Sequence, residues 1–83
     1  MKVIVISSDS RAVEGFGSMG VEALLVSTRD EARNAFTKAL ESRGDGSGAG
    51  TVLVSESLRP YLEDLEEAHR RRAVLPDVIF LDC

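Results

Sequence analysis

Four short apolar runs, with helix-patterned stretches between them, constrain this chain more than any other feature. They are Val3-Ile4-Val5-Ile6, Val21 to Val26, Thr51-Val52-Leu53-Val54 and Val78-Ile79-Phe80-Leu81. The first is an unbroken β-branched run bounded by polar residues, as expected of a strand buried on both faces of a parallel sheet. It leads into Ser8-Asp9-Ser10. Such a turn, at the carboxyl end of a central strand, is where open α/β sheets usually place their function.

The intervals read as helices. Ala12, Val13 and Phe16 make one apolar stripe over Ser10 to Gly17. Ser8 or Asp9 caps its start, and Gly15, Gly17 and Gly20 end it. Gly20 to Ser27 reads as the second strand, with Glu22 suggesting a sheet edge. Thr28-Arg29-Asp30-Glu31 has the capping-box spacing, with Thr28 as cap, and Ala32, Ala35, Phe36, Ala39 and Leu40 follow at helical intervals. This predicts a helix from Thr28 to about Ser42. Arg43 to Gly50 has no apolar side chain larger than Ala and reads as a mobile loop. Ser55 or Ser57 caps the third helix, and Pro60 falls in its first turn, where a missing N–H costs little. Leu58, Tyr61, Leu62, Leu65 and Ala68 form its apolar stripe, opposite Glu63, Asp64, Glu66 and Glu67. Arg70-Arg71-Arg72 closes it, in accord with the helix dipole. Leu75-Pro76 ends that element, and Asp77 to Asp82 reads as the fourth strand.

Strictly alternating strands and helices predict a parallel sheet with helices on both faces, an α/β fold of flavodoxin-like, receiver-like type. With right-handed crossovers and one reversal of direction, the strand order is 2-1-3-4. The first helix then covers one face and the other two cover the opposite face. No helix follows the fourth strand, so one face of strands three and four is left bare. Val78, Ile79, Phe80 and Leu81 alternate across that strand and are the candidate partner-contact residues. Burying one such side chain is worth about 1.5–3 kcal/mol. The expected occupant is another polypeptide, a second copy of this chain included, or a segment beyond these residues.

Composition narrows the function classes. Eighty-three residues make one domain, residues 1–83. A chain of this size buries only about 60–65% of its extended surface, which favours help from a partner. A net charge of −4 argues against nucleic acid. No apolar stretch approaches the ~20 residues of a membrane span. The start, Met1-Lys2-Val3-Ile4, runs straight into a strand and predicts no signal peptide. A single cysteine, Cys83, excludes an internal disulfide and fits a reducing compartment.

The motifs that resemble chemistry have simpler readings. Gly15-Phe16-Gly17-Ser18-Met19-Gly20 spells G-x-G-x-x-G. A dinucleotide site needs those glycines after a strand and opening a helix, whereas here they close one. Arg43-Gly44-Asp45 is a loop by composition. A receiver needs an acidic pair after its first strand and a phosphorylated Asp at the end of its third, but here that strand ends Val54-Ser55-Glu56. Asp9 is therefore read as a helix cap, and Asp82 as a strand end. His69 is read as a solvated surface residue, and Cys83 has no base beside it. No cluster has metal-ligand spacing. The sequence thus predicts no catalytic residue, no cofactor and no metal; Asp9, Gly15, Gly20 and Thr28 serve turns and caps.

Met1 to Ile6, Asp9, Val13-Glu14-Gly15-Phe16 and Met19-Gly20-Val21 together resemble the F subunit of V-type and A-type rotary ATPases. The similarity continues through the third strand and helix to Leu75-Pro76, and so covers most of the chain. It implies a non-catalytic member of the central stalk that binds the coiled coil of the stalk's D subunit and neighbours the head subunits. Such a protein helps couple or regulate ATP hydrolysis or synthesis with ion, typically proton, transport. It would be cytoplasmic and peripheral to the membrane through its complex, with no direct insertion. The chain departs from that family in its longer glycine-rich loop and in lacking the family's C-terminal helical tail. The alternative is a degenerate receiver-like module for signalling or protein interaction.

Overall fold

The computed structural model describes residues 2–41, 49–72 and 77–81. The expectations for the glycine-rich loop at 43–48, for Leu75-Pro76, and for Asp82 and Cys83 lie outside those residues. The elements run β1 (Lys2–Ser7), α1 (Ser10–Ser18), β2 (Glu22–Leu25), α2 (Arg29–Glu41), β3 (Ala49–Ser55), a 3-10 turn (Glu56–Leu58), α3 (Arg59–Arg72) and β4 (Asp77–Leu81). The strands form one parallel sheet in the order β2-β1-β3-β4, the flavodoxin-like arrangement.

Partners in a parallel ladder share a face, and successive residues alternate faces. Ile4, Val52 and Val78 therefore share one face, as do Ile6, Val54 and Phe80. Against this face pack Ala32, Phe36 and Ala39 of α2, Leu62 of α3, and Leu58 of the 3-10 turn. Phe36 is the largest fully buried side chain, with no exposed surface. On the other face α1 lies against β1 and β2. There Val5 is 1% exposed although no residue of α1 is itself fully buried.

Local chemistry explains the boundaries. Asp9 caps α1 by accepting from the Arg11 N–H at 2.9 Å. The end of α1 differs from expectation. Gly15 and Gly17 lie inside the helix, which continues to Ser18, and Gly20 alone stops it. Gly20 adopts φ +82°, its N–H donates to the Gly17 carbonyl, and the Val21 N–H reaches back to Phe16. This is a Schellman termination, and its left-handed residue favours glycine. At α2, Thr28 Oγ1 accepts from the Glu31 N–H at 3.1 Å, and Glu31 returns to the Ser27 N–H at 2.7 Å. The reciprocal capping box forms, shifted one residue outward on its return leg.

Two further readings are corrected. Neither Ser55 nor Ser57 opens α3: a 3-10 turn intervenes, Ser55 makes no side-chain cap to it, and Pro60 is the second residue of the helix. The buried stripe of α3 ends on His69, 6% exposed, while Ala68 and Tyr61 are exposed. Leu58, Leu62, Leu65 and His69 follow one another at spacings of four, three and four, which keeps them on one side of the helix. β3 also starts earlier than expected, at Ala49, where a register shift against Lys2 and Val3 absorbs an extra residue.

Candidate functional site

Two places merit consideration, and the topology positions both. The first is the carboxyl end of β1 and β3, where the chain reverses direction between α1 and α3. Four serines meet there. Ser7 Oγ accepts from the Asp9 N–H at 3.0 Å. Ser55 Oγ lies 3.2 Å from Ser57 Oγ, which lies 3.5 Å from Ser8 Oγ. Ser7 and Ser55 are buried, Ser8 and Ser57 exposed. The hydroxyls thus spend much of their hydrogen-bonding capacity on one another and on the backbone.

Activating a serine needs a base within hydrogen-bond reach. Asp9 spends Oδ1 on its own helix, and His69 sits at the opposite end of α3. Ten residues of helix separate His69 from Arg59, about 15 Å at 1.5 Å per residue. Where a receiver domain places its phosphorylated Asp, at the carboxyl end of β3, this chain has the buried Ser55. Among the described residues no group of three or more His, Cys, Asp or Glu could hold a metal ion.

Beside this end of the sheet, Arg59 Nε donates to both carboxylate oxygens of Glu56 at 3.0 Å. Its guanidinium lies 4.1 Å from the centre of the Phe80 ring. Hydrogen bonding to Glu56 is the main cause that raises the Arg59 pKa above its ordinary value. The arrangement fastens the start of α3 to β4.

The second place is the face of β3 and β4 turned away from α2 and α3. Thr51, Leu53 and Ser55 stand there beside Asp77, Ile79 and Leu81. Among the described residues α1 is the one helix on this side, and it packs on β1 and β2. Ile79 is accordingly 47% exposed, with Leu53 and Leu81 partly so. Val78 and Phe80 point the other way and pack against the core. The four residues expected to contact a partner therefore divide into two pairs: Ile79 and Leu81 on the bare face, Val78 and Phe80 on the opposite face against the core.

Of the cap and turn residues, Asp9, Gly20 and Thr28 do what the sequence implies, while Gly15 is an ordinary helical position. The serine cluster was not legible in advance. Ser8 and Ser57 are 49 residues apart and meet because β3 pairs with β1. Among the described residues no helix is long and apolar enough to cross a membrane. Comparison of the chain with protein-family models, with curated proteins and with solved structures gives no match.

Proposed function

We propose that this chain is a docking domain without a catalytic centre, which presents the bare β3–β4 face to another polypeptide. The observation that carries the reading is Ile79, a large aliphatic side chain 47% exposed in the middle of a strand, flanked by Leu53 and Leu81. An apolar sheet face of this kind marks an interaction surface. A helix with an apolar stripe is the occupant that would complete the third layer of the fold. The uncharged serine cluster at the switch point supports the same reading, because it offers neither a base nor a phosphoacceptor Asp.

In its specific form the proposal is a central-stalk component of a V-type or A-type rotary ATPase. It would grip the stalk's coiled coil, help couple or regulate ATP turnover with ion transport, and lie peripheral to the membrane through that complex. This form rests on the resemblance at Met1–Ile6, Gly15-Phe16 and Gly20-Val21. The test is binding to the purified coiled-coil stalk protein by calorimetry. Leu53→Glu should weaken binding by about tenfold to a hundredfold, the equivalent of losing one buried aliphatic contact. Absence of binding by the wild-type chain removes the stalk role. Binding that Leu53→Glu leaves unchanged removes the docking face.

A further inference from the structure

We infer that the edge of β4 left unpaired among the described residues pairs with β4 of a second copy of this chain, antiparallel about a dyad at Ile79. This goes beyond the docking reading. It uses the rim of the sheet and the flank of α3, shares Ile79 with the bare face but does not need Leu53, and stands if that reading fails.

The two edges of the sheet differ in length and in apolar bulk. β2 has four residues and opens with Glu22, which lines a groove shared with Lys38 of α2. Short length and charge are the usual devices that discourage a sheet edge from pairing. β4 is one residue longer and also opens with an acid, Asp77, but beyond it the strand carries no charge. Among the described residues its one neighbour is β3, its register is unbroken, and four of its five residues are Val78, Ile79, Phe80 and Leu81. It contains no proline and no lysine. Such an edge offers a row of backbone donors and acceptors to another strand.

The sequence of β4 suits its own reverse. Antiparallel pairing centred on Ile79 sets Ile79 against Ile79 of the second copy, and Val78 against Phe80 of the second copy. Directly opposed residues share a face, so the second pair continues the layer beneath α3. A β-branched residue opposite an aromatic is a favourable cross-strand pair.

The helix above the edge fits the same dyad. Leu58, Leu62, Leu65 and His69 face the sheet, and Asp64 faces α2 through its pair with Arg33. Arg59, Glu63, Glu66 and Arg70 therefore form the flank turned away from α2, and Arg59 marks it as lying over β4. Strands are spaced about 4.8 Å apart. A helix seated over the β3–β4 pair thus meets its dyad mate about two spacings away, near the ~8–10 Å at which helices pack. The flank carries two cations and two anions, with Arg59 paired to Glu56 and Arg70 to Glu66, so it does not repel its own copy. α3 descends as β4 rises, and Arg59 stands level with Phe80. A dyad at Ile79 falls within the first turns of α3 and brings Arg59 of each copy toward Glu63 of the other.

The experiment is light scattering on the full chain over a dilution series, with two variants and one cross-link. The wild-type chain and Leu53→Glu should both show the mass of two chains at the concentrated end, whereas Ile79→Lys should show the mass of one. Opposed β-carbons in an antiparallel ladder lie about 4.5–5.5 Å apart, close to disulfide geometry. Ile79→Cys combined with Cys83→Ser should therefore oxidise to a covalent dimer. A one-chain mass for the wild type throughout overturns the inference. So does a dimer that Ile79→Lys leaves intact, or a failure of Ile79→Cys to cross-link. Loss of partner binding by Leu53→Glu with the dimer retained separates this interface from the docking face.

Discussion

Arg59 joins two neighbours at once: its guanidinium lies 4.1 Å from the centre of the Phe80 ring while Nε holds both oxygens of Glu56. One side chain thereby ties the turn after β3, the start of α3 and the edge strand β4. Because β4 has one strand neighbour among the described residues, much of its anchoring comes from Phe80 and Val78 against the core. Arg59→Ala should selectively lower hydrogen-exchange protection of Val78–Leu81. Protection of Val5 and Ile6 in the central strand should stay near wild type. Arg59→Lys should rescue little, since an ammonium cannot reproduce the fork that grips a carboxylate while stacking on a ring. Equal loss of protection in β1 and β4 would contradict this account.

Two glycines, one inside α1 and one just past its end, should respond to alanine in opposite directions. Gly15 is helical, and a Cβ there would meet nothing within 4 Å. Gly15→Ala should stabilise by about 0.5–1 kcal/mol, since it lowers the entropy of the unfolded chain without a clash. Gly20 is held at φ +82°, and Gly20→Ala should cost about 1–2 kcal/mol despite equally open surroundings. Denaturant midpoints of the two variants should bracket the wild type. A rise in both would remove the Schellman turn as the reason for Gly20.

The same glycines show where a sequence stops being informative. Gly15, Gly17 and Gly20 are indistinguishable as letters, and only backbone geometry singles out the one with positive φ. Strand order was more legible, because Glu22 marks an edge and the runs at Val3–Ile6 and Val52–Val54 are apolar on both faces. His69 reads as solvated because three arginines follow it, although its spacing from Leu58, Leu62 and Leu65 continues the buried stripe. The 3-10 turn at 56–58 displaces the expected serine caps, and no local signal precedes it. The bare face was legible from helix count and crossover handedness alone. The serine cluster was not, because proximity across 49 residues is a property of the pairing and not of the neighbourhood in sequence.

The core should tolerate little loss at Phe36. This ring has no exposed surface and sits among the central-strand residues Ile4, Ile6, Val52 and Val54. Phe36→Ala should cost about 3–5 kcal/mol. Domains of this length have total stabilities of about 4–12 kcal/mol. The variant should therefore lose much of its cooperative thermal transition, or show it shifted down by tens of degrees. Phe36→Leu should retain a clear transition. A near-wild-type transition for Phe36→Ala would mean that the layer under α2 repacks freely.

The bridge between α2 and α3 should register in the acid limb of stability. Arg33 Nη1 donates to Asp64 Oδ1 and to the Tyr61 carbonyl at 2.9 Å, and Nη2 donates to Asp64 Oδ2 at 3.1 Å. This hydrogen bonding is the main cause holding the Asp64 carboxyl below its ordinary 3.8. At the start of α2, the Ser27 N–H likewise holds Glu31 below its ordinary 4.5. A carboxyl whose folded pKa is depressed releases its proton more readily in the folded chain than in the unfolded one. Its contribution is fully present above the ordinary value, and it is lost as pH falls through the lowered folded value. Thermal midpoints should therefore hold steady from neutral pH to about pH 5 and decline below it. Asp64→Asn and Glu31→Gln should each lower the neutral midpoint while flattening the acid decline, because neither variant has that proton to take up. Both groups are exposed, so added salt should narrow the difference for Asp64→Asn. It should leave Glu31→Gln less affected, since there the interaction is a hydrogen bond from the backbone. An acid decline as steep in both variants as in the wild type would assign the pH dependence to other carboxyls.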